Sequence, residues 1–303
     1  MSETSWTDIR YTSRDGLRLY GRHYAAPRST RRPALCLPGL TRNARDFHVL
    51  ATALSSGAHA REVYALDYRG RGQSEYAPDP KTYTVITELN DTVDFMTLAG
   101  LHDAAIIGTS RGGILAMLMG AARPASIGVV VLNDIGPVIE RQGLARIAGY
   151  VGRVPRPLTW AEAAQTAKGM NAHAFPNVGD AEWAELARQW FEDKDGRPVQ
   201  GYDPKLAQSF SLDQPIPDLW PQFMSLKHVP ILALRGANSD LLSDATLQAM
   251  AQRHPDLATV TVPDQGHAPL LRDAPTIDAI GDFLIRCDRS GASTSIGAAL
   301  QTE

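Results

Sequence analysis

In residues 104–117, Ala-Ala-Ile-Ile-Gly-Thr-Ser-Arg-Gly-Gly-Ile-Leu-Ala-Met, an apolar run short enough for a buried strand passes almost without a loop into an apolar helical pattern. Strand and helix can follow each other this closely only through a sharp turn. Gly108 and Gly112 leave room where side chains would collide as the two backbones close up. The bend pushes Ser110 toward positive φ, a strain that a non-glycine residue carries mainly at functional sites. Its hydroxyl is presented out of the sheet. The new helix points free N–H groups and a positive dipole end at anything held above it. That arrangement suits a nucleophile whose product is an oxyanion. Gly-x-Ser-x-Gly also arises by chance, so the rest of the chain has to supply partners.

The surrounding pattern is strand, helix, strand, helix. Thr7, Ile9 and Tyr11 alternate with polar residues, as do Leu17 and Leu19, and Asp15-Gly16 lies between these runs, which predicts a hairpin. Apolar runs at 34–37, 63–66, 104–107, 129–132, 231–234 and 258–262 read as strands. Helical patterns occupy 84–98, 243–254 and 276–287, and another starts behind Asn43. Continuous apolar strands alternating with helices predict an α/β fold with a mostly parallel sheet covered on both faces. From 138 to 227 the rhythm changes to helical segments with no convincing strand, their faces supplied by residues such as Trp160, Phe175, Trp183, Trp190, Phe210 and Trp220. The expected organisation is a discontinuous core, 1–137 and 228–288, a helical cap, 138–227, and a flexible Ser/Ala/Gly/Thr-rich tail, 289–303.

Composition narrows the function. With 44% hydrophobic and 21% charged residues the chain has the balance of a soluble globular protein. A net charge of −3 and a pI near 6.2 give no electrostatic case for nucleic acid or an acidic membrane. The polar N-terminus lacks the apolar core of a signal peptide, and no run approaches a membrane span. Cys36 and Cys287 show no metal-ligand spacing, so neither metal nor cofactor is expected, and a reducing cytoplasm is the expected location.

In an open α/β sheet, ligands bind beyond the carboxyl ends of the strands. The residues that follow the predicted strands there are Pro38-Gly39-Leu40-Thr41-Arg42, Asp67, Ser110, Asn133-Asp134, Arg235 to Asp240, and Asp264 to His267. All the polar candidates therefore collect on one rim. Gly108-Thr109-Ser110-Arg111-Gly112, Asp67-Tyr68-Arg69-Gly70-Arg71-Gly72-Gln73-Ser74, Leu234-Arg235-Gly236 with Asp240, and Gly266-His267 together resemble the α/β-hydrolase fold family over about residues 7–287. The resemblance implies an eight-stranded-type sheet and a serine hydrolase, with the cap between the sixth and seventh core strands.

Ser110 is then the nucleophile, and a base must take its proton. His267 is chosen over the rivals His48, His102, His173 and His228 because it follows the last core strand. Asp240 is preferred as the acid that orients the imidazole, with Asp134 as the alternative, because some hydrolases of this fold keep their acid there. Asp264 is too near His267 in sequence, and Asp67 is expected to brace its own loop. The backbone N–H groups of Leu40 and Arg111 are the expected oxyanion donors. Many relatives carry His-Gly where this chain has Pro38-Gly39, so a hydrogen bond from that histidine is lost. Arg42, Arg69 and Arg111 are candidates to meet a substrate carboxylate, although bracing roles suit each singly.

The expected activity is hydrolysis of a carboxylic ester or lactone through an acyl-enzyme on Ser110. Cleavage of a carbon–carbon bond in a β-diketone-like acid is an alternative in the same fold. A receptor that binds without turnover is another, because fold does not dictate function. Epoxide and haloalkane hydrolysis are disfavoured because relatives doing that chemistry carry Asp at the nucleophile position. The aromatic content of 138–227 predicts a small molecule with an apolar acyl or alcohol group. The oligomeric state is left open.

Overall fold

A computed structural model of the chain describes residues 6–209 and 216–291. The chain runs β1 (Thr7–Thr12), β2 (Arg18–Tyr24), β3 (Ala34–Leu37), α1 (His48–Leu54), β4 (Val63–Asp67), α2 (Val85–Leu98), β5 (Ala104–Thr109), α3 (Arg111–Ala122) and β6 (Ile127–Asn133). There follow α4 (Arg141–Tyr150), α5 (Trp160–Asn171), α6 (Asp180–Trp190), β7 (Phe191–Lys194), β8 (Arg197–Gln200) and α7 (Trp220–Met224). The last elements are β9 (Ile231–Gly236), α8 (Asp244–Arg253), β10 (Leu257–Val262) and α9 (Ala274–Gly291).

Eight strands form one sheet in the order β1-β2-β4-β3-β5-β6-β9-β10. The first two pairings are antiparallel and the rest parallel. The central strands are apolar on both faces because both faces are covered. Leu35, Leu37, Ile106, Val130 and Leu132 pack into one core with residues of α2 and α3. Their neighbours Cys36, Ala105, Ile107, Val129 and Val131 pack into the opposite core with residues of α1 and α9. Side chains alternate across a strand, so consecutive apolar residues serve two different layers.

Local signals set the helix starts. Thr84 caps α2 by accepting from the Thr87 N–H, and Ser243 caps α8 by accepting from the Thr246 N–H. Asn43 caps a 3-10 turn, Ala44–Phe47, that leads into α1. The chain passes from β3 to β4 on one side and then returns to place β5 on the other side of β3. The crevice where the strand order reverses is the usual ligand position in an open parallel sheet. The β3 and β5 loops meet at that point.

The segment between β6 and β9 differs from its expected form. It is mostly helical, but β7 and β8 pair as an antiparallel hairpin. Asp195 and Gly196 turn it, at φ 53° and 80°. An Asp-Gly pair with both residues at positive φ is a strong hairpin signal, and the flanking Phe-Glu-Asp-Lys and Arg-Pro-Val-Gln are too polar to show strand periodicity. Phe210 lies outside the described residues. So do residues 292–303 of the expected tail, and Arg289 belongs to the last turn of α9. Among the described residues no helix is long and apolar enough to cross a membrane.

Candidate active site

Ser110 sits between β5 and α3 with φ 51° and ψ −110°. Both neighbouring glycines are required by contact. A Cβ on Gly108 would lie 2.5 Å from the Gly112 carbonyl carbon, and one on Gly112 would lie 2.0 Å from the Leu37 carbonyl oxygen. Ser110 N–H donates to the Asn133 carbonyl at 3.0 Å, which ties the corner to the end of β6. The strained conformation is thus held by a backbone bond and two close approaches.

His267 Nε2 lies 2.9 Å from Ser110 Oγ. Its Nδ1 lies 2.8 Å from Asp134 Oδ2. Asp134 is fully buried, and its other oxygen accepts from the Gly236 N–H at 2.8 Å. Ser239 Oγ donates to Asp134 Oδ2 at 2.5 Å. Ser239 Oγ in turn accepts from the N–H groups of Leu241 and Leu242. Both oxygens of this buried carboxylate are thus hydrogen-bonded, and Oδ2 faces the imidazole.

The expected acid, Asp240, stands elsewhere. Its two oxygens take a bidentate contact from Arg146 at 2.6 and 2.8 Å. Burial works against its ionisation, yet the Arg146 guanidinium outweighs burial and holds the carboxyl below its ordinary value. The preference for Asp240 is therefore corrected to the alternative, Asp134, as the partner of His267. The cause is register. Asp134 N–H donates to the Leu234 carbonyl, which carries the β6–β9 ladder one residue past β6, and a φ of 56° then bends Asp134 back over the rim. Asp240 lies four residues beyond β9 and faces α4, where the Gly143 N–H donates to its carbonyl. Ser239, which braces Asp134, was missed. So were Arg146 and Tyr150, whose position depends on how α4 folds over the rim.

The turn after β3 lies against Ser110. A Cβ on Gly39 would be 3.8 Å from the Ser110 Cβ. Arg111 opens α3, so its N–H has no acceptor within the helix, and the Ser110 side chain does not cap it. The Leu40 N–H makes none of the turn's backbone hydrogen bonds among the described residues, and the turn is closed by Arg42 N–H to the Gly39 carbonyl.

A buried ion group underlies this corner. Glu88, wholly buried on α2, meets Arg71 at 2.7 Å and Arg111 at 2.8 Å. Arg71 Nε also donates to the Leu40 carbonyl at 2.9 Å. The Arg111 side chain therefore turns away from the cavity, and Arg69 is spent on Asp91 and Asp15. Asp67 braces its loop as expected, accepting from the Ala44 and Gln73 N–H groups. His48, a rival base, bonds the Tyr24 hydroxyl instead.

Above the rim lies a cavity of about 150 Å³. Ser110, His267 and Leu40 line it from the sheet side, and Tyr150, Phe175 and Trp190 from the inserted segment. Arg45 and Asn43 both donate to the Gln189 carbonyl, fastening the inserted segment to the core. A serine, an imidazole and a buried carboxylate in hydrogen-bonded series, at the floor of a partly apolar cavity, can carry out nucleophilic acyl transfer.

Residues 34–279 match the alpha/beta hydrolase family. The chain is 41% identical to an alpha/beta hydrolase from Novosphingobium aromaticivorans of solved structure, with a TM-score of 0.87 over 94% of this chain and 100% of that one. It is 31% identical over 290 residues to a 3-hydroxybutyrate-oligomer hydrolase of Cupriavidus necator, covering 91% of this chain and 96% of the relative. It is 29% identical to a 2-(acetamidomethylene)succinate hydrolase of Mesorhizobium japonicum over 76% of this chain and 79% of the relative. The chain belongs to the alpha/beta hydrolase family.

Proposed function

We propose that this protein is a serine hydrolase that cleaves a carboxylic ester of a small molecule through an acyl-enzyme on Ser110. The observation that carries this reading is the contact series Ser110 Oγ to His267 Nε2 at 2.9 Å and His267 Nδ1 to Asp134 at 2.8 Å. His267 takes the serine proton as Oγ attacks the carbonyl carbon, and Asp134 stabilises the imidazolium. The tetrahedral oxyanion is received by the N–H groups of Leu40 and Arg111. His267 returns the proton to the leaving alkoxide, then activates a water that releases the acid and frees Ser110. The segment between β6 and β9 acts as a cap that excludes bulk water, and its aromatic residues receive an apolar part of the substrate. The 3-hydroxybutyrate-oligomer hydrolase supports ester chemistry, because hydroxy-acid oligomers are joined by esters. The buried, unbridged Cys36 and Cys287 support a cytoplasmic setting.

A fluorophosphonate probe and 4-nitrophenyl acetate and butyrate test the reading. Labelling at Ser110 and turnover are expected, both lost in Ser110→Ala. Saturable ligand binding with neither labelling nor turnover would instead make the protein a receptor.

A further inference from the structure

Two guanidinium groups line the cavity that holds Ser110, together with the Asp46 carboxylate that pairs with one of them, although a purely apolar substrate needs none of these charges. Arg42 comes from the turn after β3 and Arg146 from α4, so core and inserted segment contribute one each. Arg42 meets Asp46 side-on, through Nε at 2.6 Å and Nη2 at 2.8 Å. Arg146 meets Asp240 in the same way, at 2.6 and 2.8 Å. Each aspartate spends its oxygens on one edge of the guanidinium. Among the described residues, Nη1 of neither arginine makes a hydrogen bond to protein. Both side chains keep some exposure, 22% for Arg42 and 25% for Arg146.

The two charges act on a common space. Burial raises the Tyr150 phenol, and both Arg146 and Arg42 pull it back, so both lie within electrostatic reach of one hydroxyl in the cavity. Arg42 is also stacked 3.9 Å from the Trp190 ring, which holds its plane. Arginines fixed in this way by packing and by carboxylates meet an incoming anion with little further loss of rotamer freedom.

We propose that Arg42 and Arg146 form an anion subsite, so that the substrate is a short ester bearing a free carboxylate. This rests on the hydrolase reading and deepens it to a substrate class. Guanidinium groups recognise carboxylates through paired N–H donors, and two unspent donor groups on residues that line the nucleophile's cavity offer that recognition. Arg42, Arg146 and Ser110 line one cavity, so the carboxylate and the scissile carbonyl are held in the same space.

The test compares anionic esters with their neutral counterparts. Monomethyl succinate against dimethyl succinate places the charge on the acyl side. 3-Acetoxypropionate against its methyl ester places it on the alcohol side. For at least one pair, kcat/KM of the wild-type protein is expected to favour the anion by about tenfold or more, the size of one charged contact of about 1.4 kcal/mol. In Arg146→Met and Arg42→Met that ratio falls toward one. Ratios of one or less in both pairs overturn the subsite, as does a ratio unchanged in both variants. A separate readout needs no turnover: equilibrium binding of monomethyl and dimethyl succinate to Ser110→Ala. Tighter binding of the monoester by about tenfold supports the subsite even if the wild-type protein fails to react with fluorophosphonate and the hydrolase reading falls. Equal binding overturns it.

Discussion

The sheet rim and the inserted segment face each other across one cavity, and they are built differently. On the rim, position follows from backbone. Ser110 is held by two glycine contacts and a bond to Asn133, and Asp134 by the β6–β9 ladder and the Gly236 N–H. On the inserted side, position follows from side chains. Arg146 is aimed by Asp240, and Trp190 is stacked on the guanidinium of Arg42, which comes from the core. The rim can thus be rigid about chemistry while the opposite wall varies its choice of substrate. This is the division expected of a scaffold that presents functional loops.

The largest effect that would sharpen the contrast is at the rim itself. Ser110→Ala is expected to lower kcat by about 10^6-fold, as loss of a serine nucleophile does elsewhere, measured by ester turnover. Asp134→Asn leaves His267 in the wrong tautomer and is expected to cost about 10^3- to 10^4-fold in kcat. Asp240→Asn touches the side-chain wall, and its cost on a neutral ester is expected to stay below about tenfold. Reversed magnitudes for these two aspartates would break the comparison and restore Asp240 as the acid.

An effect between those of the two aspartates is expected beneath the rim. Arg71→Met removes the donor to the Leu40 carbonyl, and Glu88 keeps its contact with Arg111. Loosening the turn should lower kcat by about 10- to 100-fold with KM little changed, because misplacement by a fraction of an ångström weakens transition-state contacts most. Affinity for a trifluoromethyl ketone should fall in proportion. If thermal stability drops while kcat and ketone affinity hold, the buried ion group serves folding alone.

The smallest effect is expected in the turn between β1 and β2, away from the residues that line the cavity. The hydrogen bond from Arg69 lowers the Asp15 carboxyl to about 2, against its burial. A carboxyl whose folded pKa is depressed adds stability above its unfolded pKa and loses it as pH falls through the folded one. Asp15→Asn should therefore lower Tm by about 1–2 °C at pH 7, because the Asp15 carboxylate is half-exposed although Arg69 is buried. The gap to the wild type should close as pH falls from about 4 toward about 2. A gap independent of pH would show that packing, not charge, sets the contribution.

The amino-acid order alone determined the features that depend on neighbours along the chain. Apolar runs marked the strands of the core, Thr84, Ser243 and Asn43 marked helix starts, and Gly108-x-Ser110-x-Gly112 between an apolar run and a helical pattern marked a sharp corner. His267 was legible because it lies five residues beyond the last strand, so little chain separates its position from the rim. Tertiary structure alone decided between Asp134 and Asp240. Both follow strands that end on the same rim, and only the pairing of β6 with β9, together with an arginine 94 residues away in sequence, separates them. It also placed Arg146, Tyr150 and Trp190 around the cavity, because side-chain periodicity tells which face of a helix is apolar and not which surface that helix will meet.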